Sequence, residues 1–271
     1  MAVRQSLSAM RSATPPSPTP PDRWFPTRKP LPAPRLRLFC FPFAGGSAAI
    51  YNTWGAGLPA GVELCPVQLP GRERRLMEKP FDSLPALVDA LLPVLAPLLD
   101  RPFAFFGYSM GSRISLEVTR RLHLRNGPMP RGLMMAAAGP PRENDRQPIH
   151  HLPEAEFIAH LRKYDGTPEE ILQHRELLEL LLPTLRADFA LAWWENGNHA
   201  AVKLDVPISV MGAVGDAHVP LAKLEGWREE TRSEDFRVRH FQGGHFFIRQ
   251  QQDAILTAVR EDLGRWMPAA P

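Results

Sequence analysis

Cysteine is scarce in this chain: two in 271 residues, Cys40 and Cys65, neither at a spacing that suits a metal ligand. Both sit in apolar stretches, RLFCFPF and ELCPVQL, so they read as buried thiols of a reducing compartment. A membrane-length hydrophobic run is also lacking. The most apolar stretch, LPALVDALLPVLAPLL at 84–99, is interrupted by Asp89, Pro93 and Pro97 and falls short of the ~20 residues a bilayer requires. The amino-terminal MAVRQSLSAMRSA has no continuous apolar core of the secretory kind. Net charge is small, +3, and the basic residues are scattered rather than gathered into a stripe, which argues against nucleic acid as the main partner. These absences lead to the expectation of a cytoplasmic protein with no membrane and no nucleic-acid partner.

Proline, by contrast, is plentiful, with 30 residues, and it clusters in SATPPSPTPPDRWFPTRKPLPAP at 12–34. Proline lacks the backbone donor and fixes φ, so residues 1–34 are expected to be a disordered, solvated arm, with the folded domain spanning 35–271. From there short apolar runs alternate with amphipathic helical stretches. Strands are expected at 36–43, 62–69, 103–108, 131–139, 206–214 and 236–242. Helices are expected over 83–99, from Met110 to about Leu122, and over 249–266. Strands alternating with helices imply an α/β fold with a mostly parallel central sheet flanked by helices. The stretch 145–203 has helical spacing and no strand, and it is too long for a simple crossover. It reads as a helical cap over the carboxyl ends of the strands, where ligands bind in such sheets.

The most suggestive local feature is FFGYSMGS at 105–112, a serine between two glycines that follows a strand and precedes a helix. A tight turn there would project the Ser109 hydroxyl above the sheet and aim the Met110 amide at a bound anion. Ser109 needs a base, and His245 in FQGGHFFI has the best setting, on a glycine-hinged strand end; a structural core histidine is the alternative. His150, His151, His160 and His174 lie in polar cap sequence and read as solvated. The acid expected to orient the base is Asp216, just after the fifth strand, whereas its competitor Asp205 precedes that strand. His218, two residues beyond Asp216, reads as a solvated loop residue or as a group supporting the acid, with the solvated loop favoured. The order Ser109, Asp216, His245 is that of an α/β-hydrolase. The loop FPFAGGSA at 41–48 completes the site, with the backbone amides of Ala44 and Met110 expected to form an oxyanion hole. No metal and no cofactor is expected.

FCFPFAGGSA, Trp54, VQLPGRERR, FAFFGYSMGS, the cap segments DGTPEEIL and LLLPTLRADF, PISVMGAVGDAHV, Trp227 and GGHFFI together resemble the stand-alone type II thioesterases of polyketide and nonribosomal peptide assembly lines. The resemblance covers about Leu36 to Trp266. It implies a monomeric serine hydrolase that cleaves aberrant acyl thioesters from the phosphopantetheine arm of acyl or peptidyl carrier proteins. A general esterase, a chain-releasing thioesterase and a non-catalytic scaffold of the same fold are the alternatives. Two positions depart from the family pattern: Tyr108 where many relatives have histidine, and Ser112 where they have alanine. Both are expected to bear on acyl preference rather than catalysis. GRERR at 71–75 reads as a solvated basic loop or as a contact for an acidic carrier or its phosphate. Trp193 and Trp194 read as lining the acyl entrance or as packing the cap onto the core, with packing favoured.

Overall fold

The computed structural model describes residues 21–143, 147–164, 166–193 and 202–268. The strands are β1 (Leu36–Phe41), β2 (Val62–Pro66), β3 (Phe103–Tyr108), β4 (Leu133–Ala136), β5 (Ile208–Ala213) and β6 (Phe236–Phe241). Among the described residues they form one sheet in the order β2-β1-β3-β4-β5-β6, with every neighbouring pair parallel. Each expected strand is present. The inner strands are buried throughout because helices cover both faces, which is why they read as unbroken apolar runs. β6 lies at an edge and carries Arg237 and Arg239, charges that discourage pairing with a further chain.

The helices are α1 (Pro21–Trp24), α2 (Leu84–Leu95), α3 (Met110–Leu124), α4 (Glu154–Tyr164), α5 (Glu169–Gln173), α6 (Arg175–Ala192) and α7 (Gln252–Trp266). Successive strand residues point to opposite faces, and this splits the core in two. Phe105 joins Leu91 of α2 and Ile114 of α3 on one face, while Phe106 joins Ile255 and Val259 of α7 on the other. Pro93 falls inside α2, where it cannot donate the i→i−4 hydrogen bond to the Asp89 carbonyl, and Pro97 lies in the following 3-10 turn. Between β4 and β5, helices α4, α5 and α6 form the expected cap around Phe157, Leu161, Leu182, Leu185 and Phe189. No helix among the described residues is long and apolar enough to cross a membrane.

The amino-terminal boundary needs correction. Residues 1–20 lie outside the described residues, but the segment before Arg35 is built into the fold. Trp24 and Phe25 are buried, and Phe25 meets Phe39 of β1 with ring centroids 5.8 Å apart. Arg28 Nε and Leu31 N both donate to the Glu63 carboxylate, at 2.8 and 2.7 Å. Proline leaves this stretch one short helical turn, α1, and does not prevent an aromatic pair from burying its surface.

Candidate active site

Ser109 occupies the single residue between β3 and α3, at φ 52° and ψ −112°. A non-glycine residue with such angles is strained, and the surrounding chain must hold it there. The two flanking glycines permit that. A Cβ on Gly107 would lie 2.5 Å from the Gly111 carbonyl carbon, and one on Gly111 would lie 2.2 Å from the Phe41 carbonyl oxygen. No other side chain fits either position, so the glycine–serine–glycine spacing has a steric cause.

His245 Nε2 lies 3.0 Å from Ser109 Oγ, and His245 Nδ1 lies 2.8 Å from Asp216 Oδ2. The other carboxylate oxygen of Asp216 accepts from the amides of His218 and Val219 at 2.8 and 3.0 Å. Burial, the largest influence, raises the Asp216 pKa; the hydrogen bond and charge of His245 and the two amides outweigh it, so the net shift is downward. An ionised carboxylate only accepts, so Nδ1 carries the imidazole proton and Nε2 is left to accept from the serine hydroxyl. The acid and base loops are stitched together, with Gly215 N donating to Gly243 O at 2.9 Å. Gly243 turns the chain after β6 at φ +110°. Asp205 sits away from this cluster, exposed and 3.5 Å from Arg232.

A pocket open to solvent lies over Ser109 and His245. Ala44 and Met110 line it, and neither of their backbone amides donates to another described residue. The cap supplies apolar walls through Leu161, Tyr164, Leu185 and Phe189. Cys40 and Cys65 are free and buried away from the pocket, and burial pushes both thiols up, so neither competes as a nucleophile.

A model of the thioesterase domain matches residues 36–263. The chain belongs to the thioesterase family. This thioesterase is 37% identical over 252 residues to the protein named linear gramicidin dehydrogenase LgrE of Brevibacillus parabrevis, a match covering 91% of this chain and 95% of that one. Among solved structures it resembles RedJ, a thioesterase from the prodiginine biosynthetic pathway of Streptomyces coelicolor, with a TM-score of 0.78, 31% identity, and 90% and 100% of the two chains covered. It also resembles the type II thioesterase BorB from the borrelidin biosynthetic cluster, with a TM-score of 0.77, 33% identity, and 88% and 96% covered. The word dehydrogenase belongs to the name of LgrE, whereas the family match and both solved relatives are thioesterases. The expected α/β-hydrolase fold and the resemblance to type II thioesterases are both borne out.

Three smaller expectations change in the thioesterase. GRERR is not simply a solvated loop, because Arg72 and Arg75 are buried and Arg74 is the exposed arginine of the run. Arg75 stacks over Trp24 at 4.2 Å and pairs with Glu78, while Arg72 pairs with Asp188. His218 is half-buried, stacked on Tyr164 of α4 with centroids 3.9 Å apart. It thereby ties the acid loop to the cap. Trp193 lines the pocket, and Trp194 lies outside the described residues.

Proposed function

We propose that this thioesterase hydrolyses acyl groups held as thioesters on the phosphopantetheine arm of carrier proteins, clearing aberrant chains from a polyketide or nonribosomal peptide assembly line. The observation that carries the reading is the Asp216–His245–Ser109 relay, at 2.8 and 3.0 Å, beneath an apolar pocket roofed by the cap. The family supplies the thioester, and the biosynthetic origins named for RedJ and BorB support the carrier-bound substrate.

In this mechanism His245 Nε2 takes the Ser109 proton as Oγ attacks the thioester carbonyl carbon. The oxyanion that forms is held by the amides of Ala44 and Met110, the latter at the start of α3. The tetrahedral intermediate then breaks its C–S bond, the thiol leaves with the proton from His245, and the acyl group remains on Ser109. Water enters, gives a proton to His245 and attacks the ester. The C–Oγ bond breaks, the free acid leaves, and the proton returns to Ser109. Asp216 stays ionised and steadies the imidazolium in both halves. The chemistry draws on protein groups and water alone, with no metal or diffusible cofactor. The enzyme acts as a cytoplasmic monomer, meeting carrier domains and neither membrane nor nucleic acid.

The test is a panel of acyl groups loaded on carrier proteins, assayed beside matched oxygen esters. Hydrolysis of the carrier thioesters, lost in Ser109→Ala along with fluorophosphonate labelling, supports the reading. Preference for the oxygen esters points instead to a general esterase. Turnover retained by Ser109→Ala would sink the mechanism.

A further inference from the structure

Cap helix α6 carries a buried carboxylate that faces away from the cap's own apolar cluster. Asp188 is 1% exposed and receives Arg72 Nη2 on Oδ1 and Arg72 Nη1 on Oδ2, both at 2.7 Å. Its Oδ2 also accepts from the backbone amide of Gly45 at 2.7 Å. Arg72 in turn donates from Nη1 to Gly46 O at 2.9 Å and from Nε to Pro70 O at 3.1 Å. Its guanidinium is thus turned inward, onto the loop that holds Ala44. Thr184, one turn earlier on α6, donates to Gly71 O at 2.8 Å.

These contacts matter because of where they fall on the loop. Gly45, at φ +76°, and Gly46 follow Ala44, and peptide planes beside glycine rotate with little steric resistance. Two planes flank the Ala44 Cα. The first, Phe43–Ala44, is fixed by the loop itself, since Gly46 N donates to Phe43 O at 2.8 Å. In a trans peptide the N–H points opposite the C=O, so the Ala44 amide is directed out of that turn. The second plane, Ala44–Gly45, is fixed by Asp188 through the Gly45 amide. Remove Asp188 and its partner Arg72 and the 43–46 turn loses its anchors at Gly45 N and Gly46 O, so the turn can shift as one body, carrying the Ala44 amide away from Ser109.

We propose that Asp188, with Arg72 as its charge partner, is a positioning residue that holds the Ala44 amide in line for the developing oxyanion, and so makes assembly of the oxyanion hole depend on where α6 of the cap sits. Neither residue touches the reacting atoms. The proposal rests on the reading of Ala44 N as an oxyanion donor. It also divides the cap: α6 is bolted to the core by buried ionic contacts, and lifting it would dismantle the site beneath.

The experiment compares wild type, Asp188→Asn and the apolar double variant Asp188→Leu/Arg72→Met. The double variant guards against misfolding, because replacing a whole buried ion pair is tolerated far better than leaving one charge unpaired. Each is assayed with an acyl-pantetheine thioester, with a trifluoromethyl ketone analogue that forms a tetrahedral adduct on serine, and by the rate of fluorophosphonate labelling. A mispositioned donor is expected to lower kcat about 10²-fold with KM within about threefold. Ketone affinity and labelling rate should fall in parallel with kcat, and the pH profile of kcat/KM should keep its shape because the Ser109–His245–Asp216 relay is untouched. The double variant should regain thermal stability yet stay at least ~10-fold slow. Wild-type kcat and ketone affinity in a folded double variant would overturn the proposal, as would an Asp188→Asn protein that loses Tm alone. If wild type hydrolyses no thioester, it is the functional reading that fails; the labelling rates still test the positioning claim.

Discussion

The Tyr108 hydroxyl donates to the carbonyl oxygen of His245 at 2.7 Å, and it accepts from Ile248 N at 3.2 Å. The residue just before the nucleophile therefore props the loop that carries the base. Tyr108 is fully buried and lies outside the residues that line the pocket, which places it under the base rather than beside the acyl chain. Ser112 is likewise turned into the core, donating to Gly107 O at 2.8 Å.

Tyr108→Phe keeps the ring and removes the strut. Leaving the His245 carbonyl and the Ile248 amide without their partner costs about 1–3 kcal/mol. Part of that cost is expected as looser histidine placement, so kcat/KM should fall on the order of tenfold while acyl-length preference stays the same. Steady-state kinetics on a chain-length series reads both. A changed preference with unchanged kcat would return Tyr108 to the pocket.

Asp216→Asn replaces a carboxylate held below the ordinary range by an amide that can donate. The imidazole proton then has reason to move to Nε2, where it blocks acceptance from Ser109. A drop in kcat of about 10³–10⁴ is expected, with the fold intact. Circular dichroism and fluorophosphonate labelling together separate this from unfolding.

Gly111→Ala puts a methyl group 2.2 Å from the Phe41 carbonyl oxygen, a backbone atom that cannot step aside. The substitution is expected to cost roughly 4 kcal/mol or more, beyond the ordinary range for one residue. Urea unfolding midpoints would show it. A stable Gly111→Ala protein would mean that the turn has another conformation open to it.

Glu63 should make stability depend on acid. Burial raises its pKa most, but the Leu31 amide, Arg28 and Arg37 outweigh that and pull it below the usual carboxylate value. A carboxyl depressed in the folded state stabilises the fold above its unfolded pKa, and that stabilisation is lost as pH falls through the folded value. Glu63→Gln should therefore lower Tm at neutral pH, on the order of 10 °C, and flatten the acid limb of the Tm–pH curve. Hydrogen exchange across 24–31 should rise in the same variant, because Arg28 and Leu31 both anchor on this carboxylate.

Much of this was legible in the chain. Apolar runs announce the inner strands of a sheet buried on both faces, the alternating FRVRHF announces its charged edge strand, and Ser109, Asp216 and His245 each follow a strand in an order that a parallel sheet brings to one end. The amino-terminal packing was hidden because prolines dominate the segment and mask Trp24 and Phe25. Asp188 left a trace, an acid three residues after Leu185 and three before Leu191 on the buried side of α6, but nothing local names its partner. Arg72 lies 116 positions away in a basic run that resembles a solvated loop.

The sequence by itself determined the strands, the strained serine turn and the cast of the relay, because each depends on local rules: side-chain periodicity, the missing Cβ of glycine, and chain order in a parallel sheet. Only the tertiary structure decided which groups hold that relay still. Tyr108 beneath His245 and Asp188 above Gly45 act across long stretches of chain, and such contacts exist only once cap and core have packed. A buried hydroxyl or carboxylate then takes whichever backbone donor or acceptor the packing leaves within reach, and no pattern of neighbouring residues encodes that choice.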